Sequence, residues 1–232
     1  MHSRVALLIS VALVVIAGCS SAQEQLISGF ETEAELDQWQ ISAGEFRLVD
    51  EHATQGEHAL ELTFDPDARW NASSLFWNDP VRDWSAWDAL MVDVYNPMDR
   101  PVRGSLLIAD QAWLDSGRSY WNRHNSTITF APGSGRWIIP VHGLYRGEAG
   151  SRNNDIQRDI DVDQIVRVDL NFGAQGETGR MIVDNIRFVA VDRPAAVHAF
   201  DFGPPSQPTM LGWTAVSQQS AYSPDTGYGW GP

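Results

Sequence analysis

Apolar and polar residues alternate along much of this chain with a period of two. Leu60, Leu62 and Phe64 alternate with Glu61 and Thr63, and Leu90, Val92 and Val94 with Met91, Asp93 and Tyr95. Gly104, Leu106 and Ile108, then Ile128 and Phe130, then residues 137–141 extend the pattern. Val168, Leu170 and Phe172 alternate with Arg167, Asp169 and Asn171, and Ile182, Ile186 and Phe188 close the set. A period of two puts successive side chains on opposite faces of an extended backbone, so these runs predict half-buried strands. Thr54-Gln55-Gly56, Asn96-Pro97, Ala131-Pro132-Gly133 and Ala174-Gln175-Gly176 punctuate them as turns. Only 33–38 and 161–165 carry the pattern of a short helical turn. The prediction is an all-β domain, a β-sandwich of jelly-roll type.

The first residues break this pattern. Arg4 precedes an apolar run over 5–17 that ends in Ile16-Ala17-Gly18-Cys19. A positive residue, a short apolar stretch and small residues read as a secretory signal, and the stretch is too short to span a bilayer. The last four residues resemble the lipobox of bacterial lipoproteins. That resemblance implies cleavage after Gly18 and lipidation of Cys19, which is also the only cysteine of the chain. The expectation is a signal over 1–18, a polar tether over 19–25 and a lipid-anchored protein of the bacterial cell envelope.

Charge narrows the partners. Sixteen basic residues, all arginine, face thirty acidic ones, for a formal net charge of −14. Such a surface repels phosphate backbones at long range, so nucleic acid is not an expected partner. One cysteine allows no intramolecular disulfide, and the fold must rest on its core or on metal ions. Of ten tryptophans, Trp39, Trp84, Trp87 and Trp137 lie beside apolar residues and read as packing anchors. Trp70, Trp77, Trp113 and Trp121 lie among polar residues and read as wetter, the setting in which an indole face stacks on a sugar ring.

Several short pieces then form a familiar set: Gly29-Phe30-Glu31, Trp39, Ala53-Thr54-Gln55-Gly56-Glu57-His58-Ala59-Leu60, Asp83-Trp84-Ser85, Asn96-Pro97, Leu144-Tyr145-Arg146-Gly147 and Ile182-Val183-Asp184-Asn185-Ile186. Over residues 26–191 they resemble the carbohydrate-binding jelly rolls of the galactose-binding-like superfamily, found attached to bacterial polysaccharide-degrading enzymes. The resemblance implies a polysaccharide ligand and a structural calcium ion held by Glu31 and Asp184, with Glu51 and the loop at Thr54 as further ligands. A Glu, an Asp, a hydroxyl and loop carbonyls suit a cation that takes six to eight oxygens. Asp184 shares the parity of Ile182 and Ile186, which predicts a carboxylate pointing toward the apolar side. Such a group is coordinated, paired with an arginine, or used to cap a backbone turn.

The ligand surface is predicted around Arg118, Tyr120, Trp121 and Arg123, which combine stacking rings with forked donors. Asp169 and Asn171 leave the polar face of their strand, and Trp113 and Tyr145 are placed at its flanks. Trp121 and Arg118 are the leading candidates, and pairing with a carboxylate is an alternative role for Arg123.

Residues 192–198 read as a linker, but 199–232 hold too many aromatics for a solvated tail and too few residues to bury them. Ala199-Phe200-Asp201-Phe202-Gly203, Ala221-Tyr222-Ser223 and Gly227-Tyr228-Gly229-Trp230 resemble the start of the galactose-binding domain that precedes agarase-like glycosidases and GDSL-type esterases. Either the segment folds back on the sandwich, or it opens a second β-sandwich whose remainder is missing. The second is expected.

Catalytic signatures are absent from the sequence. The six histidines are scattered, and no Gly-x-Ser-x-Gly elbow or phosphate-cradling glycine loop occurs. The expectation is a non-catalytic polysaccharide-binding module of a larger enzyme. A lyase or hydrolase within the sandwich and an envelope protein-interaction module are the alternatives.

Overall fold

The computed structural model describes residues 23–147 and 159–191, with 200–202, 204–205, 214–221 and 228 of the tail. In chain order the elements are β1 (Gln23–Ser28), α1 (Glu33–Leu36), β2 (Trp39–Ile41), β3 (Glu45–Val49), β4 (Ala59–Thr63), β5 (Ser73–Trp77) and β6 (Ala89–Asn96). Then follow β7 (Val102–Asp110), α2 (Gln111–Asp115), β8 (His124–Phe130), β9 (Gly133–Pro140), β10 (Ile165–Phe172) and β11 (Arg180–Ala190). Two short strands, β12 (Phe200–Phe202) and β13 (Thr214–Val216), pair in parallel.

Two antiparallel sheets make the sandwich. One is ordered β3-β4-β11-β6-β9 with β1 also on β11; the other is ordered β2-β5-β10-β7-β8. Between them lie the apolar halves of the alternating runs: Leu60, Leu62, Leu90, Val92 and Phe188 from the first sheet, and Leu75, Leu106, Ile108, Val168 and Phe172 from the second. Phe188 is the hub, with the rings of Trp84 and Trp87 5.1 and 5.6 Å away. Trp39 stacks on Trp77 at 5.6 Å, and Phe130 meets Trp137 edge-on at 5.4 Å. Each fully buried side chain of this size contributes roughly 1.5–3 kcal/mol, so the core needs no disulfide.

Three expectations change. Residues 161–165 form a turn into β10, closed by the Gln164 amide on the Asp161 carbonyl, and the helical turn lies instead at α2. Trp77, expected in a wet setting, is a core residue. The third concerns Asp184. The register of β11 against β6 shifts between Asp184 and Arg187, and Asn185 there adopts a φ of 52°. This β-bulge reverses the parity of the strand. Met181 and Val183 point into the core before it and Ile186 and Phe188 after it, so Asp184 points outward, opposite Asp93. No helix among the described residues is long and apolar enough to cross a membrane. Cys19 and the linker 192–198 lie outside the described residues, and the second-domain segment 199–232 lies largely outside them.

Candidate functional site

The outer face of the β2-β5-β10-β7-β8 sheet gathers most of the predicted ligand residues. Register places Gln40, Phe76, Asp169, Leu107 and Asn125 in one row across it, with Ser74, Asn171, Ser105 and Thr127 in the next. Asp169 is only 3% exposed, and Arg167 grips both of its oxygens at 2.8–3.0 Å. Burial pushes its carboxyl above the usual range, against the opposing pull of Arg167 and Arg123. Asn171 donates to the Ser105 carbonyl at 3.0 Å, leaving its own carbonyl oxygen to other donors.

One rim of this face is built by residues 110–123. Asp110 caps α2 by accepting the Trp113 amide at 3.2 Å, and the buried Arg146 reaches both the Asp110 carboxylate and the Asn122 carbonyl. Asn122 in turn donates to the Ala112 carbonyl and the Ser116 hydroxyl. The rim is therefore a pinned structure. Trp113, 4% exposed, lies against Leu107 and Ala109 as a small apolar cluster on the outer face. The guanidinium carbons of Arg167 and Arg118 stand 5.6 and 5.8 Å from its ring centre. Arg118 is exposed, with a left-handed φ of 64°. Beyond it, Tyr120 and Trp121 meet edge-on at 4.9 Å, each 41% exposed, and Arg123 lies over Tyr120 at 4.6 Å.

The opposite rim is the loop before β5. The Ser105 hydroxyl donates to the Asn71 side-chain oxygen at 3.4 Å, which ties this loop to the polar row. Trp70, beside Asn71, is 72% exposed with Arg69 5.0 Å from its ring. Its polar neighbours in sequence mark it as wet, and only the fold shows that the next residue, Asn71, reaches the Ser105 row.

The predicted residues thus separate. Arg118, Tyr120, Trp121 and Arg123 share one rim, and Asp169 and Asn171 form the floor beneath them. Trp113, expected at the wet flank, is buried and supports the two arginines. Tyr145 is buried too, with its ring 5.0 Å from that of His124 and its carbonyl accepting from His124 Nδ1 at 2.9 Å, so it braces the rim from within.

The predicted metal ligands gather on the other sheet, around the loop between β3 and β4. Asp184 accepts the Thr54 and Gln55 amides and the Thr54 hydroxyl at 2.5–3.0 Å. Burial raises its carboxyl despite these bonds. Glu31 accepts the Glu57 and His58 amides, which hold its carboxyl below the usual range. Gly56 sits between, with a φ of 68° and no room for a Cβ beside the Glu31 carboxyl. Gln55 Oε1 is buried without a hydrogen-bond partner among the described residues. Glu51 stands apart, 3.6 Å from Arg180. Of the roles open to Asp184, the turn-capping one is what the geometry displays. Among the described residues no three His, Cys, Asp or Glu side chains converge as a ready-made metal cluster.

Sheet order and packing define a fold class, the antiparallel jelly-roll β-sandwich, which is also the fold of the solved carbohydrate-binding modules it resembles. The family 11 carbohydrate-binding module from Clostridium thermocellum, solved with a β-1,3-1,4-mixed-linked tetrasaccharide, is similar with a TM-score of 0.51 at 18% identity, over 72% of this chain and 96% of that one. The agarase AgWH50C is similar with a TM-score of 0.52 at 15% identity, over 74% of this chain and 25% of that one. In sequence, beta-agarase B of Vibrio sp. (strain JT0107) is 25% identical over 248 aligned positions, covering 88% of this chain and 25% of the enzyme. This chain therefore spans about a quarter of the length of that curated relative. No family model matches it.

Proposed function

We propose that the chain is a non-catalytic polysaccharide-binding module whose ligand lies on the outer face of the β2-β5-β10-β7-β8 sheet. The observation that carries this reading is the pinned rim over Asp169 and Asn171, where Tyr120 and Trp121 stay exposed while Trp113 beside them is buried. Stacking on these rings supplies affinity, and the arginines and Asn171 read hydroxyl groups. Trp121→Ala tests it: binding of agarohexaose or of a mixed-linked glucan tetrasaccharide, measured calorimetrically, is expected to weaken tenfold or more with the fold intact. Undiminished affinity for every glycan that the unsubstituted chain binds would refute it.

The module belongs, in this proposal, to a longer carbohydrate-active protein. The similarity to one quarter of an agarase and the aromatic segment after residue 199 support that reading. Anchoring through Cys19 rests on the signal-like start of the chain. A calcium ion is proposed at the 54–58 loop, held by Glu31, Asp184 and Thr54 with Gln55 Oε1, a buried oxygen that lacks a donor. Calcium would supply positive charge between strand and loop. A chelator is then expected to lower the melting temperature, and an unchanged value would remove the ion from the account.

A further inference from the structure

Arginine pairing across the sandwich is uneven. On the β3-β4-β11-β6-β9 sheet, Arg47 and Arg180 hold Glu61, while Arg136 and Arg187 hold Asp93. Arg100 meets Glu177, and Arg146 meets Asp110. Arg69, Arg82, Arg103 and Arg118 have no carboxylate partner among the described residues, and two of them, Arg103 and Arg118, border the proposed binding face. Arg103 is exposed on β7 in the same parity as Ser105, since Val102 and Leu106 point into the core. Arg118 shares the Trp113 ring with Arg167, whose own carboxylate, Asp169, is gripped through both oxygens. In a chain with thirty acidic residues, two arginines left without one on a single face call for a separate explanation.

Resting on the reading of this face as a polysaccharide site, we infer that its ligand is an anionic polysaccharide, carrying sulfate or carboxylate groups along the chain. A guanidinium is planar and permanently charged, and its forked donors match both anions bidentately. From Arg103 to Ala109, over which the Arg118 rim rises, β7 runs for roughly 20 Å at about 3.4 Å per residue. Charges spread over that length fit a polymer with repeated anionic groups better than a single charged sugar. The net charge of the whole protein opposes such a ligand at long range, but at physiological salt its field is screened beyond about 8 Å. At contact distance the guanidinium groups of Arg103 and Arg118, rather than the net charge, meet the ligand.

The test is calorimetry on the full chain with three hexasaccharides: neutral agarohexaose, a sulfated κ-carrageenan hexaose, and oligogalacturonate. The expected result is tighter binding of one or both anionic probes, with an affinity that falls between 0.15 and 0.5 M salt. Sulfate and carboxylate are distinguished by which probe is preferred. Arg103→Gln and Arg118→Gln are each expected to cut the anionic-to-neutral affinity ratio about three- to fivefold. Equal or better binding of agarohexaose, unaffected by salt, would overturn the inference while the polysaccharide reading stands. Binding of none of the three would count against both, and the mixed-linked glucan then decides whether the face binds sugar at all.

Discussion

At the level of single residues, tryptophans of the same composition-based class do opposite work. Trp113 is buried between Leu107, Ala109 and two guanidinium groups, whereas Trp121 is exposed and meets Tyr120 edge-on. Trp113→Ala is expected to cost about 3–5 kcal/mol of stability, the range for deleting a buried large aromatic. Trp121→Ala should stay within about 0.5 kcal/mol of the parent, as exposed substitutions do. Urea denaturation of the two variants checks the pair. The sequence offers no way to separate them, because Trp113 and Trp121 both sit among charged and polar neighbours. Their difference arises from a five-residue helix that turns one ring down onto the sheet.

The strand elements carry the next lesson. Alternation identified β4, β6 and β10 with the correct inward faces, because each is a regular strand with one face on the core. It misassigned Asp184, because one extra residue in β11 reverses the parity and no periodicity rule anticipates a bulge held from a distant loop. The bulge depends on Asn185 at a φ of 52°, a region that asparagine tolerates and β-branched residues do not. Asn185→Val should destabilise by about 1–3 kcal/mol, and Asn185→Gly by less, although it also loses the bond from Asn185 Nδ2 to Asp93. Thermal melts of both variants would check this; equal losses would mean that the side-chain bond, not the backbone angle, holds the bulge. The proposed binding rim was legible as a cluster of rings and arginines in sequence, and the loop at Asn71 was not. Only the sheet brings Asn71 against Ser105.

For the molecule as a whole, the two sheets divide the labour. One holds Glu61 and Asp93 with two arginines each and ties the 54–58 loop; the other carries the exposed rings at 120–121 and the unpaired Arg103 and Arg118. The first arrangement makes stability depend on pH. Arginine bonds lower the carboxyls of Glu61 and Asp93 against the opposing effect of burial, and backbone amides lower that of Glu31. Groups depressed in the folded state add stability that is complete above the unfolded values, 4.5 for Glu and 3.8 for Asp, and is lost as pH falls through the folded ones. Asp169 and Asp184 act with the opposite sign: their raised carboxyls oppose folding once pH exceeds 3.8. The melting temperature should therefore fall as pH drops below about 4.5, and Glu61→Gln should flatten that fall while lowering stability at pH 7. A variant that melts in parallel with the parent from pH 7 to pH 3 would contradict the assignment.

The account stands or falls on which surface meets the glycan. Amide chemical-shift mapping of the isotope-labelled chain, titrated with the hexasaccharide that binds best, addresses this most directly. The prediction is that the perturbed amides cluster on β5, β10, β7 and β8 and on the 110–123 rim, with the Trp121 indole N–H among the largest shifts. Perturbations gathered on the β3-β4-β11-β6-β9 face, with Trp121 unmoved, would contradict it.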